Sequence, residues 1–116
     1  MKSSYNLGFS NTDDIDSSLS SNVSISDGYL VMTSAGESIM ISNVRNESAD
    51  RTYFHLKVVG DYLTGVTYYV SIDNGSTFNS ISLETETLLT AGSQIRIRVV
   101  LTNVETKIKG IALLMR

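Results

Sequence analysis

The chain has 116 residues, a formal net charge of −3 and a sequence pI of about 4.9, and it contains no cysteine, proline or tryptophan. Its length fits a single domain, since domains commonly have about 100 to 150 residues. The missing cysteines exclude disulfides, a thiolate nucleophile and a cysteine-ligated zinc site, and the acidic balance argues against nucleic-acid binding, which usually needs a basic surface.

An acidic segment lies near the start of the chain, over residues 11–21. Its carboxylates, the densest set of oxygen ligands in the sequence, are Asp13, Asp14 and Asp16. Calcium takes six to eight oxygen ligands, so this segment is a candidate calcium site. An EF-hand register fails, because Leu19 stands at the sixth position and Ile25 at the twelfth, counted from Asp14. The alternatives are a solvated acidic loop or one helical turn with Thr12 as its N-cap.

Apolar residues alternate with polar ones along most of the remaining chain, which is typical of half-buried strands. The predicted core-facing sets are Val23 and Ile25; Ile39 and Ile41, with Met40 opposite; Phe54, Leu56 and Val58; Val66, Tyr68, Val70 and Ile72; Ile95, Ile97, Val99 and Leu101; and Ile111, Leu113 and Met115. The last run, KIKGIALLM, is apolar on both sides, and this predicts a central strand.

Turn signals separate these runs at intervals near ten residues. They are Asp27-Gly28, Ala35-Gly36, Gly60-Asp61, Asn74-Gly75, Ala91-Gly92 and Lys109-Gly110. Many short strands at this spacing are typical of sandwiches and small barrels. The sequence therefore predicts an all-β fold, a single-domain antiparallel β-sandwich of jelly-roll type over residues 1–116, with about eight or nine short strands.

Residues 71–78, SIDNGSTF, resemble the Asp-box of sialidases and other sugar-handling β-propellers. A propeller needs several blades, hence a much longer chain with the motif repeated, and here the motif occurs once. Hairpin chemistry explains the stretch, because Asn74-Gly75 suits a turn with positive φ at both central positions. We expect Asp73 to accept hydrogen bonds from nearby backbone N–H groups, Thr77 to resume the strand and Phe78 to enter the core. The motif predicts a structural hairpin.

A second group of residues faces away from the apolar sides of the strands. It comprises Tyr53, His55, Tyr69, Arg96 and Arg98. If their strands are neighbours, these side chains form one face that could serve as a ligand site or a subunit interface, since tyrosine and arginine are enriched at binding hot spots. The alternative is an ordinary solvated sheet face. A hydrolase that uses His55, the only histidine, with a carboxylate is a remote alternative, since no Gly-x-Ser-x-Gly elbow accompanies it.

From about Phe9 to Arg116 the layout is similar to galactose-binding-like jelly-roll modules of bacteriophage and prophage tail-associated proteins. The resemblance is carried by FSNTDDIDSSLSSNVSISDGYLVM, VTYYVSIDNGSTF and AGSQIRIRVVLTNVETKIKGIALLM. The family usually has tryptophan where this chain has Phe78. No residue-level sugar-binding motif of the family can be matched here.

The resemblance implies a non-enzymatic virion or prophage component that binds copies of itself or other phage structural proteins. A carbohydrate-binding module for the host cell surface is the alternative that it leaves open. We expect no cofactor, and we expect polysaccharide as the partner only in that alternative. The chain opens with no basic region before an apolar run, and no apolar run reaches the ~18 residues of a membrane helix. These features predict a protein of the bacterial cytoplasm or the virion, without a signal peptide or a membrane span.

Overall fold

The computed structural model describes residues 3–116, and within this range it contains nine strands and no helix. The strands are β1 (Ser3–Gly8), β2 (Val23–Ser26), β3 (Tyr29–Met32), β4 (Ser38–Ile41), β5 (Arg45–Asp61), β6 (Thr67–Ser71), β7 (Asn79–Ile81), β8 (Glu86–Leu101) and β9 (Lys107–Met115). Their pairings are all antiparallel, which confirms the predicted all-β antiparallel fold. Two strands are longer than expected, since β5 has 17 residues and β8 has 16. No helix long and apolar enough to span a membrane occurs in residues 3–116.

The strands form two groups that share β8. In the first group the order is β2-β3-β9-β5-β8, and β1 also pairs with β9, on the side opposite β5. In the second group β4 and β6 flank the later half of β8, and β7 pairs with β6 at the edge. The earlier half of β8, up to Ile95, pairs with β5, whereas the half from Arg96 onward pairs with β6. One continuous strand therefore connects the two halves of the sandwich.

Both groups bury their apolar sides in one core. Leu56 on β5 and Leu113 on β9 are fully buried, as are Val70 on β6 and Ile97 on β8, and all four belong to a single cluster of packed side chains. Removing this apolar surface from water is the main stabilising contribution, at about 25 cal/mol per Å². A sandwich-like arrangement follows, because two sheets that share one core must face each other.

Most of the predicted strand faces are confirmed, and one is reversed. Phe54 and Leu101 are fully buried as predicted, and β9 lies centrally between β5 and β1. In β4, however, Met40 is the residue that enters the core, while Ile39 is only half-buried. Ile41 is covered from the other side, where the backbone N–H of Asp16 donates to its carbonyl oxygen at 2.9 Å. In an apolar run of only three residues both faces look alike in sequence, so alternation could not choose between them.

Three of the predicted turns are wrong, and two of them for a common reason. Asp27-Gly28 and Asn74-Gly75 are turns with positive φ, but Gly60, Gly92 and Gly110 lie inside strands β5, β8 and β9. At Gly60 and Gly92 the backbone of another segment comes too close for a side chain. A Cβ atom at Gly60 would meet the carbonyl oxygen of Lys107 and one at Gly92 that of Ile72, whereas one at Gly110 would make only an ordinary contact with the Leu7 carbonyl oxygen, at 3.4 Å. Glycine in a strand interior often marks such a close approach.

Candidate functional site

The five candidate ligand or interface residues do not form one face. Tyr53 and His55 lie on β5, opposite Leu88 and Glu86 of the earlier half of β8. Tyr69 lies on β6, opposite Arg98 in the later half of β8, and Arg96 is two residues away. At about 3.3 Å per residue, Glu86 and Arg96 are roughly 30 Å apart along β8. We name the two places the β5 cleft (Tyr53, His55, Glu86, Leu114 and Arg116) and the hairpin cluster (Tyr69, Phe78, Arg96 and Arg98).

The β5 cleft is a shallow pocket of about 200 Å³ on the first group of strands. Its lining residues are Ser3, Tyr53, Phe54, His55, Glu86, Leu114, Met115 and Arg116. The guanidinium carbon of Arg116 stands 4.5 Å from the centre of the Tyr53 ring, within the range of a cation–π contact. Arg116 Nη2 also donates to Glu86 Oε1 at 2.7 Å. The cleft therefore offers an aromatic ring, an ion pair and apolar side chains to a ligand or to another protein surface.

The charges of the β5 cleft are exposed. Hydrogen bonding to Glu86 raises the pKa of Arg116, but both side chains are about half exposed, so the pair is screened by solvent. His55 Nε2 is buried without a hydrogen-bond partner in the described part of the chain, and Glu84 Oε2 lies 3.9 Å away. That distance is longer than a hydrogen bond. Within residues 3–116, His55 Nε2 thus has a long contact with Glu84 but no hydrogen bond.

The hairpin cluster is built around Arg98. Its guanidinium carbon lies 4.2 Å from the centre of the Tyr69 ring and 4.4 Å from that of Phe78. Tyr69 reaches it because the two residues are directly opposite on neighbouring antiparallel strands. Phe78 was expected in the core, but its ring lies half-buried against Arg98 and is not among the buried core residues. The loop places Phe78 on the outer side of β8, the side on which Arg98 projects.

Arg96 forms hydrogen bonds to three segments: the 71–78 loop, the acidic segment and the loop after β4. Its Nε donates to Asn74 Oδ1 at 3.0 Å, and its Nη1 donates to Asp16 Oδ2 at 3.0 Å and to the Ser42 carbonyl oxygen at 2.9 Å. The pKa of Asp16 is lowered, first by the hydrogen bond from the Ser18 hydroxyl and then by Arg96. These contacts of Nε and Nη1 hold the 71–78 loop, the acidic segment and the loop after β4 against β8.

The predicted hairpin chemistry of residues 71–78 is confirmed. Asn74 has φ 62° and Gly75 has φ 93°, as a turn with two positive φ values requires. Asp73 accepts from the Thr77 backbone N–H at 2.9 Å and from the Thr77 hydroxyl at 2.6 Å. The Ser71 hydroxyl donates to Asp73 at 2.7 Å and accepts from the Gly75 N–H at 2.8 Å. The next strand begins at Asn79 and not at Thr77 as expected, because the N–H and hydroxyl of Thr77 are bonded to Asp73 within the loop.

The Asp73 network makes stability depend on pH in the acid range. Hydrogen bonds from the Thr77 hydroxyl, the Thr77 N–H and the Ser71 hydroxyl lower the pKa of Asp73 from 3.8 to about 2. A carboxyl whose pKa is depressed by folding stabilises the native state fully above pH 3.8, and this contribution is lost as the pH falls to about 2. We therefore expect Asp73→Asn to lose stability at pH 6 and to show a shallower decline between pH 4 and pH 2 than the wild type.

Urea unfolding at intervals from pH 2 to pH 6 measures this difference. Asp61→Asn is the matched control, because Asp61 is an exposed carboxylate at the end of β5. Parallel pH profiles for the wild type and Asp73→Asn would contradict the prediction.

The acidic segment does not form the helical turn or the calcium site considered from the sequence. Ile15 donates to the Thr12 carbonyl and Leu19 to the Asp16 carbonyl, which gives two separate turns and no helix. No group of three or more metal-ligating side chains occurs in the part of the chain that the structure describes. Among the three candidate ligands, Asp16 binds Arg96, while Asp13 and Asp14 accept hydrogen bonds from Asn43 through their backbone carbonyls. This segment therefore packs against β4 and its following loop instead of gathering carboxylates.

Several residues of the two places were not predicted from the sequence. Glu86, Leu114 and Arg116 join the β5 cleft because the register sets them beside Tyr53 and His55. That register depends on which strands are neighbours, and alternation within one strand does not reveal it. Phe78 was singled out but assigned to the core.

Comparisons with known proteins leave the chain without an assigned family. No family model matches it, and neither a curated protein nor a solved structure gives a match.

Proposed function

We propose that this protein is a non-enzymatic structural component of a bacteriophage or prophage particle, associated with the tail, that acts by binding copies of itself or neighbouring virion proteins. The resemblance of three stretches to galactose-binding-like modules of tail-associated proteins supports the virion setting. The sandwich-like all-β fold agrees with that resemblance.

The observation that carries the proposal is a row of exposed apolar side chains on the outer face of β8, β5 and β9. Leu88 is 65% exposed, Leu114 is 40% exposed and Tyr53 is 37% exposed. Tyr53 lies directly opposite Leu88, and the neighbouring His55 lies opposite Leu114, so the three share one face. We call these three residues the apolar row. Exposed apolar patches with polar rims are typical of protein interaction sites.

The charges beside the apolar row favour a symmetric partner. Glu86 and Arg116 flank it with opposite charge and already pair at 2.7 Å within one molecule. In a two-fold dimer the same patch meets itself, so Arg116 of one copy would approach Glu86 of the other. A surface that carries both signs next to an apolar centre is self-complementary in this arrangement. We therefore expect self-association through the apolar row.

Light scattering after size-exclusion chromatography tests the assembly. We expect the wild type to form an oligomer at high protein concentration, and we expect Leu88→Asp to weaken the association by about tenfold or more, because a buried unpaired charge is costly. Val104→Asp is the control, since Val104 is 55% exposed in the loop between β8 and β9, away from the apolar row. A wild type that stays strictly monomeric at high concentration would argue against self-assembly.

Carbohydrate binding is the second candidate function, and the β5 cleft favours it. An exposed tyrosine ring beside an ion pair is an arrangement that can stack on a sugar ring and hydrogen-bond to its hydroxyls. A glycan array of bacterial wall polysaccharides separates the two functions. Binding that is abolished by Tyr53→Ala supports this second candidate, and the absence of any hit counts against it.

A further inference from the structure

Arg98 carries a positive charge that no carboxylate neutralises within residues 3–116. The ion pairs of the described residues use the cations of Arg45, Arg51, Arg96 and Arg116, with His55 at longer distance, but not that of Arg98. Arg96 lies two residues away on the same face of β8. Unlike Arg98, it forms an ion pair, with Asp16 at 3.0 Å. In a chain of net charge −3, an unneutralised and partly buried cation is unusual enough to require an explanation.

The guanidinium of Arg98 is fixed in place. The centres of the Tyr69 and Phe78 rings lie 4.2 Å and 4.4 Å from its central carbon, so the two rings limit its movement and shield it in part from water. Its Nε is buried and has no acceptor in the described part of the molecule. A preorganised, partly desolvated guanidinium binds an anion more strongly than a mobile exposed one, because less order is lost on binding.

The groups around this guanidinium are neutral and hydrogen-bonding. Ser80 is exposed and lies directly opposite Tyr69 on β7, and Thr67 is exposed on the same face of β6. Arg96 adds no free charge, because Asp16 neutralises it. A ligand at this place would therefore meet one cation, two aromatic rings and hydroxyl groups.

We propose that the hairpin cluster binds a sugar that bears a carboxylate, such as the uronic acid unit of an acidic polysaccharide. The carboxylate accepts hydrogen bonds from the outer N–H groups of Arg98. The apolar edges of the sugar contact Tyr69 and Phe78, and the hydroxyls of Ser80 and Thr67 lie within the same face. One isolated charge among hydroxyls matches a sugar acid better than a nucleic acid, whose phosphates require several cations. The inference does not rest on self-assembly, since the hairpin cluster and the apolar row occupy different places.

Titration followed by NMR tests this site. The probes are trigalacturonate, the neutral galactotriose and the acidic peptide triglutamate, each added to the wild type and to Leu88→Asp, so that a site covered by self-association is recognised. We expect trigalacturonate alone to shift the Arg98 Nε–H and Tyr69 backbone signals, and we expect Arg98→Gln to raise its dissociation constant at least ~10-fold. Arg98→Lys keeps the charge but loses the planar stack, and it should weaken binding to an intermediate degree. Lys109→Gln, which removes an exposed cation on β9, should leave binding unchanged.

Each other outcome would overturn the proposal. Equal binding of galactotriose would show that the carboxylate is not recognised, and equal binding of triglutamate would assign the site to an acidic protein partner. The absence of any shift at Arg98 with all three probes would leave the stack a purely structural contact. Thermal melts of both Arg98 variants distinguish lost binding from lost folding.

Discussion

Replacing Gly60 with alanine is expected to lower the free energy of unfolding by roughly 3 kcal/mol, at the upper end of what overpacking usually costs. A Cβ atom at this position would collide with the Lys107 carbonyl oxygen and lie 3.0 Å from the Ile108 Cα. Both obstacles are backbone atoms, so no side-chain rotation can relieve the contact. Gly60 also sits at an irregularity in the pairing of β5 with β9, where the register shifts.

Thermal and urea unfolding measure this effect, and the melting temperature should fall on the order of 10 °C. Gly8→Ala is the matched control, because nothing lies within 4 Å of the position where its Cβ would stand, and its φ is not positive. That control should be neutral or stabilising by less than about 1 kcal/mol, through a smaller entropy of the unfolded chain. Equal melting temperatures for the two variants would contradict the close approach at Gly60.

Replacing Phe54 with alanine is expected to cost about 3 to 5 kcal/mol, the usual range for removing a buried aromatic side chain. Phe54 is fully buried in the middle of the first group of strands, between Thr87 of β8 and Met115 of β9. Its loss would leave a cavity that the paired strands on both sides prevent from closing. Since small domains have a total stability of about 5 to 15 kcal/mol, this variant should lose a large share of the stability of the protein.

Urea unfolding measures these changes in the free energy of unfolding. Phe54→Leu is measured as well, in case the alanine variant does not fold. The leucine variant retains most of the volume and should cost about 1 to 1.5 kcal/mol. Val59→Ala on the same strand, where Val59 is 64% exposed, should cost less than about 1 kcal/mol. If Phe54→Ala matched Val59→Ala in its unfolding midpoint, the packing assigned to Phe54 would be wrong.

The strand faces were predictable where alternation was long. Ile95 to Leu101 alternate over seven residues, and the structure buries their apolar side as expected. Prediction failed for glycine, because the sequence does not distinguish a glycine in a turn from a glycine that lies against the backbone of another segment. Gly60 and Gly92 were therefore assigned to turns, although they lie in the two longest strands. What distinguishes the two cases is a neighbour far along the chain, and local pattern does not contain that information.

The candidate site was predictable only in part, for a related reason. Outward orientation of Tyr53 and Arg98 follows from alternation, but whether they share a face depends on strand order. The chemistry of the SIDNGSTF loop was predictable in detail, since Asp73, Asn74 and Gly75 act within a few residues of each other. The position of Phe78 was not, because its partner Arg98 lies twenty residues further along the chain.

The sharing of β8 between the two strand groups has a consequence for how the protein opens. Its earlier half supplies backbone partners to β5 and its later half to β4 and β6, so both groups lose ladder hydrogen bonds at once if β8 detaches. We therefore expect local openings of one sheet alone to be suppressed, and the central amides of both halves of β8 to be among the slowest to exchange their hydrogens with solvent. Because both groups of strands share β8, we expect them to unfold as a single cooperative unit.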